Sequence, residues 1–385
     1  MKPDLMKKTA ILASIFSALS LAIIFFAAEN AENFNLNRHG MGMVLAAAEE
    51  ELTPDTGTVE QGDEDAGLAD SGTDAVTDTA MPGVAAPMPK DGEEKPLSFE
   101  LGNTTSTNFL SIPLPEGIAA TDITIENHYM DEEMRVVIGS AAGDFYAAAP
   151  IGGNRRNIVS GSYINMGEDA ILRFILDGSF ECRSIMEEGR IYIEFVPPRE
   201  MYDKIVVIDP AYGGSEYGIS ANELDEKDLT LDIAIKLKEL LDETDIKVYY
   251  TRLADNNQDE EKRVRIANNA RVDMLIRIEG DADADSRTFG TTAIYNETFF
   301  IPHFNSVELA DVLEREVVLS IIGKAVGLKA ATADDYVIAN ATVPAAAIRV
   351  GYLTNTQEAT LLKREDYLEK IARGIYNAIM EIYDE

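Results

Sequence analysis

One cysteine, three histidines and only 33 lysines and arginines against 68 acidic residues mark this chain of 385 residues. A single thiol, Cys182, excludes an intrachain disulfide and with it the disulfide-stapled class of small secreted domains. In its strand-like context Cys182 reads as a buried, inert thiol. The formal net charge of -35 repels phosphate backbones, so nucleic acid is excluded as a partner. With only His39, His128 and His303 to draw on, little is left for a histidine-ligated metal centre. What is present suits a soluble globular protein with a real core, 46% hydrophobic and 26% charged. The length allows about two domains plus extensions.

Residues 1–8 carry Lys2, Lys7 and Lys8, and TAILASIFSALSLAIIFFAA follows from Thr9 to Ala28. About twenty uncharged apolar residues can span a bilayer as a helix. Lysines before the segment and acids after it put 1–8 in the cytoplasm and the bulk outside, as in a single-pass cell-membrane protein. The length favours an uncleaved anchor, while Ala27–Ala28 and the later LAAAEE leave cleavage open. Residues 29–96 are largely acidic and poor in aromatics, which predicts a disordered linker. Over 97–199, short runs such as DITIE, MRVVIG, AILRFIL and RIYIEFV alternate between Gly, Asn and Asp turns. That pattern predicts a small all-β domain ending at Pro197–Pro198.

From Tyr202 to the C-terminus strands and helices alternate. KIVVID, DIKVYYT, DMLIRIEG, TTAIYN and AAAIRVGYL read as strands. Helices are predicted over Lys227–Leu241, EEKRVRIANNA, Glu308–Ile322 and Asp366–Tyr383. The fold class is therefore α/β over 202–385, a mainly parallel twisted sheet with helices on both faces. In such sheets the working residues gather beyond the carboxyl ends of the strands. Those ends are Asp209–Tyr212, Arg277–Gly280 and Ile348–Gly351.

Four phrases stand there in order: IDPAYGG, DEKDLTLDIAIKLKELL, RVRIANNARVDMLIRIEGDADA and PAAAIRVGYLTNTQEATLL. Together they resemble the zinc-dependent N-acetylmuramoyl-L-alanine amidases, hydrolases that cut the amide between muramic acid and the peptide stem of peptidoglycan. The β domain in front is similar in size and position to their cell-wall-targeting domain. The resemblance implies a zinc held by two histidines and a glutamate, with a further glutamate as general base and acid.

Carried over residue by residue, the first histidine position is Tyr212, and the glutamate ligand is Glu226. The second histidine position is Glu279, and the catalytic glutamate position is Arg349. No catalytic residue is intact, and no metal or other cofactor is expected. An all-oxygen set of Tyr212, Glu226 and Glu279 suits a hard cation better than zinc, but Arg349 would repel it. Three readings follow. One is an inactive pseudo-amidase of the cell envelope that binds peptidoglycan, muropeptide or an envelope protein partner. The others are an active amidase with a rearranged site and a purely structural module. Glu226, Glu279 and Arg349 are expected to converge, with Arg349 bridging both carboxylates and Tyr212 covering them.

Each residue also has a plainer reading. Glu226 would complement a helix dipole, and Tyr212 would pack over its loop. Arg263, Asn268 and Asn269 would hold loops. Asp281–Asp285 would form a solvated acidic loop, lacking the glycine and distal glutamate of an EF-hand. His303 would sit at the rim.

Overall fold

The computed structural model describes residues 92–100, 108–141, 144–298 and 304–384. The apolar segment 9–28, nearly all of the acidic linker and His303 lie outside these residues. Among the described residues no helix is long and apolar enough to cross a membrane.

The first domain is a sandwich of two antiparallel sheets. One contains β1 (Lys95–Pro96), β6 (Ile158–Met166), β7 (Asp169–Leu176), β4 (Glu133–Ile138) and β3 (Ile123–His128), in that order. The other runs β5 (Gly152–Gly153), β2 (Leu110–Pro113), β9 (Arg190–Val196) and β8 (Glu181–Glu187). A short helix, α1 (Phe145–Ala148), precedes β5. Alternation along β7 and β9 turns Leu172, Phe174, Ile191 and Ile193 inward against Leu110, Met134 and Val136. The domain starts earlier than expected, because Lys95 and Pro96 already pair with Tyr163 and Ser162. Cys182, expected to be buried, is half-buried on edge strand β8, whose residues after Glu181 are not fully covered.

The second domain holds a six-stranded sheet in the order β13 (Lys247–Tyr250), β10 (Ile205–Pro210), β14 (Met274–Asp281), β17 (Ala345–Tyr352), β15 (Thr291–Tyr295) and β16 (Ala325–Ala330). β13, β10, β14 and β17 are mutually parallel, and β15 lies antiparallel to β17. The sheet is thus mainly parallel, as expected, with one reversal. A two-stranded ribbon, β11 (Ser220–Ala221) and β12 (Leu224–Asp225), leads into α2 (Glu226–Leu241). The other helices are α3 (Glu260–Ala270), α4 (Ser306–Ile321), α5 (Tyr336–Ala339), α6 (Thr356–Leu362) and α7 (Glu365–Asp384). Buried on both faces, the central strands read as unbroken apolar runs. Val206, Ile208, Ile276 and Ile348 pack beneath α2, α4 and α7. Val207, Leu275 and Ala347 face α3 and α5.

The outer strand β13 has exposed backbone engaged by a side chain. On β13 the Tyr129 hydroxyl, from the first domain, donates to the Tyr250 carbonyl (2.8 Å) and accepts the Tyr250 N–H (3.1 Å). One phenol thus does the work of a neighbouring strand residue. Its ring packs edge-on against Tyr249, with centroids 4.9 Å apart. Around it, Glu181 accepts from the Tyr249 hydroxyl and pairs with Lys247, and Lys262 pairs with Asp131. At the other edge, the Gly327 N–H donates to the buried Glu314 carboxylate (2.6 Å), beside a bulge that leaves Val326 unpaired. Tyr129→Phe removes both bonds from the backbone of buried Tyr250. It is expected to lower unfolding stability by about 1–3 kcal/mol, read from urea denaturation followed by far-UV circular dichroism.

Candidate functional site

The carboxyl ends of β10, β14 and β17 open into a polar cleft of about 270 Å³ lined by Tyr212, Glu226, Arg277, Glu279, Asp281 and Arg349, with Glu260 and Asp335 at its rim. Strand register builds its floor: Asp209 lies beside Arg277, and Glu279 lies beside Arg349. Each acid therefore faces a base across a parallel ladder.

Asp209 is fully buried. Its Oδ1 accepts from Arg263 (2.6 Å) and the Thr251 hydroxyl (2.5 Å), and its Oδ2 accepts from Arg277 (2.5 Å). Burial alone would raise its pKa, but the Arg263 and Arg277 guanidiniums outweigh burial and hold it well below the usual carboxylate range. Arg277 also donates Nε–H to Glu279 Oε1 (2.6 Å). Burial disfavours its charge, yet Asp209 and Glu279 raise its pKa further. The second Glu279 oxygen accepts from Arg349 Nε (3.0 Å), and Arg349 Nη2 reaches Asp335 Oδ1 (2.7 Å). A continuous chain of charge runs from Arg263 through Asp209, Arg277, Glu279 and Arg349 to Asp335.

Glu226 opens α2 but does not bond that helix's own amides. Its Oε1 accepts the Gly280 N–H (2.7 Å) and its Oε2 the Ile219 N–H (2.8 Å), tying the helix start to β14 and to the preceding loop. This corrects the expected bridge. Arg349 meets Glu279 and Asp335, not Glu226, because backbone amides already hold both Glu226 oxygens. Burial pushes the Glu226 carboxyl up to about 7 against those two amides, with Glu279 adding to the rise. A folded pKa raised above 4.5 means stability is fully present below the unfolded value and is lost as pH rises through the folded one. Unfolding free energy should accordingly fall by on the order of 2–3 kcal/mol between about pH 5 and pH 8 through this group. Glu226→Gln should be less stable at pH 5 but lose that slope, as urea midpoints across the range would show.

Tyr212 stands at a left-handed φ of 62°, and its carbonyl accepts from Arg263 (2.7 Å). Its ring lies 6.0 Å from the Arg277 guanidinium carbon. Burial, then Glu226 and Glu279, pushes its hydroxyl up to about 12. Arg252, also buried, donates to the carbonyls of Pro210, Ala211 and Lys227 and clamps the loop to α2. Burial pulls its pKa down to about 10. Arg263 and Asn268 hold loops as expected: Asn268 donates to Asn340 O and accepts from Thr342 N. Asn269 instead reaches Glu132 of the first domain. Asp281, expected in a solvated loop, is buried in the cleft wall, while Asp283 and Asp285 are exposed.

The family's zinc does not fit this donor set. Both Glu279 oxygens carry a guanidinium, both Glu226 oxygens carry an amide, and the Tyr212 hydroxyl resists ionisation. Among the described residues no group of three His, Cys, Asp or Glu has the arrangement of a metal centre.

A largely parallel sheet with a polar cleft beyond its strand ends is the plan of an α/β enzyme domain. The family model described as N-acetylmuramoyl-L-alanine amidase matches residues 206–381, and this chain belongs to that family. It is 29% identical over 196 residues to the germination-specific N-acetylmuramoyl-L-alanine amidase of Bacillus subtilis (strain 168), covering 47% of this chain and 81% of that protein. It is 30% identical over 185 residues to the uncharacterized protein YqiI of the same organism, covering 47% of this chain and 86% of that protein. Among solved structures, the catalytic domain of CwlV, an amidase from Bacillus (Paenibacillus) polymyxa var. colistinus, aligns with a TM-score of 0.44 at 27% identity, over 47% of this chain and 98% of that one.

Proposed function

We propose that this protein is a non-hydrolytic member of the amidase family. In this reading it sits in the cell envelope and binds peptidoglycan fragments or an envelope protein partner through the strand-end cleft. One observation supports the proposal: Arg349, the residue that the resemblance matches to the family's catalytic glutamate, has its guanidinium bonded to Glu279. A guanidinium has no basic lone pair at neutral pH, so it cannot take a proton from water. The apolar segment 9–28, with lysines before it and acids after, supports a single-pass membrane anchor with both domains outside.

A second reading, hydrolysis by a rearranged site, draws on the Glu226 carboxyl near 7, a value suited to a general base. Against it, both Glu226 oxygens already accept backbone hydrogen bonds. The test is stem-peptide release from purified peptidoglycan, with and without added zinc, alongside cosedimentation with the same sacculi. Binding without release is expected. Release above a no-protein control that disappears in Glu226→Gln would establish the second reading, and neither binding nor release would leave a structural module.

A further inference from the structure

The geometry points to Arg277, rather than Arg349 alone, as the cation that takes the electrostatic place of the family's metal. The three residues that the resemblance matches to metal ligands, Tyr212, Glu226 and Glu279, line the same cleft as Arg277. Glu279 bonds its Nε at 2.6 Å, and the Tyr212 ring lies 6.0 Å from its guanidinium carbon. Glu226 is bonded to the Gly280 N–H, three residues along the same strand, and lines the same cleft. Arg277 is buried, so its charge acts through little water.

A metal ion at the end of a parallel sheet joins elements that are distant in sequence. Arg277 does the same by hydrogen bonds. Its Nη1 reaches Asp209 on β10 and its Nε reaches Glu279 on its own strand. Glu279 then passes the connection to Arg349 on β17, which passes it to Asp335 ahead of α5. Four segments are thereby pinned without a metal, and carboxylates that would repel one another are neutralised. Arg349 is a second positioning residue in this chain of contacts. It is half-buried, whereas Arg277 is 5% exposed.

This inference deepens the non-hydrolytic reading, but its test does not depend on activity. The full chain, in detergent, would be melted with excess zinc and with EDTA, together with Arg277→Met and Arg277→Lys. The wild-type midpoint should move with neither reagent. Arg277→Met should melt roughly 5–10 °C lower, since removing one partner of a buried pair strands the others. Arg277→Lys keeps the charge without the fork and should recover part of that loss. If Arg277→Met does not fold, a folded Arg277→Lys gives the same ordering. A wild-type midpoint raised by zinc or lowered by EDTA would overturn the inference, as would Arg277→Met at least as stable as Arg277→Lys. Amide release bears on the functional reading alone.

Discussion

Asp209→Asn is expected to lower unfolding stability by about 3–5 kcal/mol, because it strands buried charge rather than merely deleting a contact. Asparagine matches aspartate in shape, so packing is held nearly constant. Its neutral amide leaves Arg263 and Arg277 facing one another, both buried, without the carboxylate between them. Whichever way the amide turns, an NH2 group replaces an oxygen that now accepts an N–H donor. Urea denaturation at neutral pH measures the loss, and a change under about 1 kcal/mol would refute the account. The same pair predicts acid lability in the wild type. A folded pKa depressed below 3.8 gives stability that is present above the unfolded value and lost as pH falls toward the folded one.

Gly213→Ala should be nearly as damaging. In IDPAYGG this glycine has φ 135°, and an added Cβ would lie 2.1 Å from the Asn256 carbonyl oxygen. The contacted atom is backbone, so no rotamer change relieves it. Arg252 Cδ, at 3.1 Å, crowds the site from another side. Strain of this kind costs about 1–3 kcal/mol before the clash is counted. The expected result is a loss of about 3 kcal/mol with faster proteolysis in the 211–218 loop than in wild type. Wild-type stability and cleavage kinetics in the variant would contradict it. The glycine turn therefore serves close backbone approach, which lets Arg252 and Arg263 grip the loop whether or not the tyrosine within it is reactive.

Much of this arrangement was legible from residue order. The apolar runs located β10, β14 and β17, and the strand-end rule drew attention to Asp209–Tyr212, Arg277–Gly280 and Ile348–Gly351. The Glu279–Arg349 contact also followed from the family positions. Arg277's part did not, since within DMLIRIEG it is one polar letter in a buried strand. Its role appears only when β14 lies between β10 and β17, with Asp209 on one side and Glu279–Arg349 on the other. The expected contact between Arg349 and Glu226 is absent for a related reason. Hydrogen bonds from the backbone of Gly280 and Ile219 leave no mark in residue type. β16 has no counterpart in the sequence reading because a half-exposed edge strand such as AVGLKA carries weak hydrophobic alternation.

The hydroxyl of Tyr129 has a consequence for how this protein behaves at high local density. An open sheet is a template with two growing ends, and a copy of the chain or a misfolded neighbour can dock strand to strand on either. Here the β13 end is terminated by a side chain that satisfies one exposed amide, and that side chain comes from another domain. Resistance to lateral polymerisation at that end therefore depends on the two domains remaining docked. Partial unfolding of the β-sandwich would uncover a templating edge in a neighbour that is itself still folded.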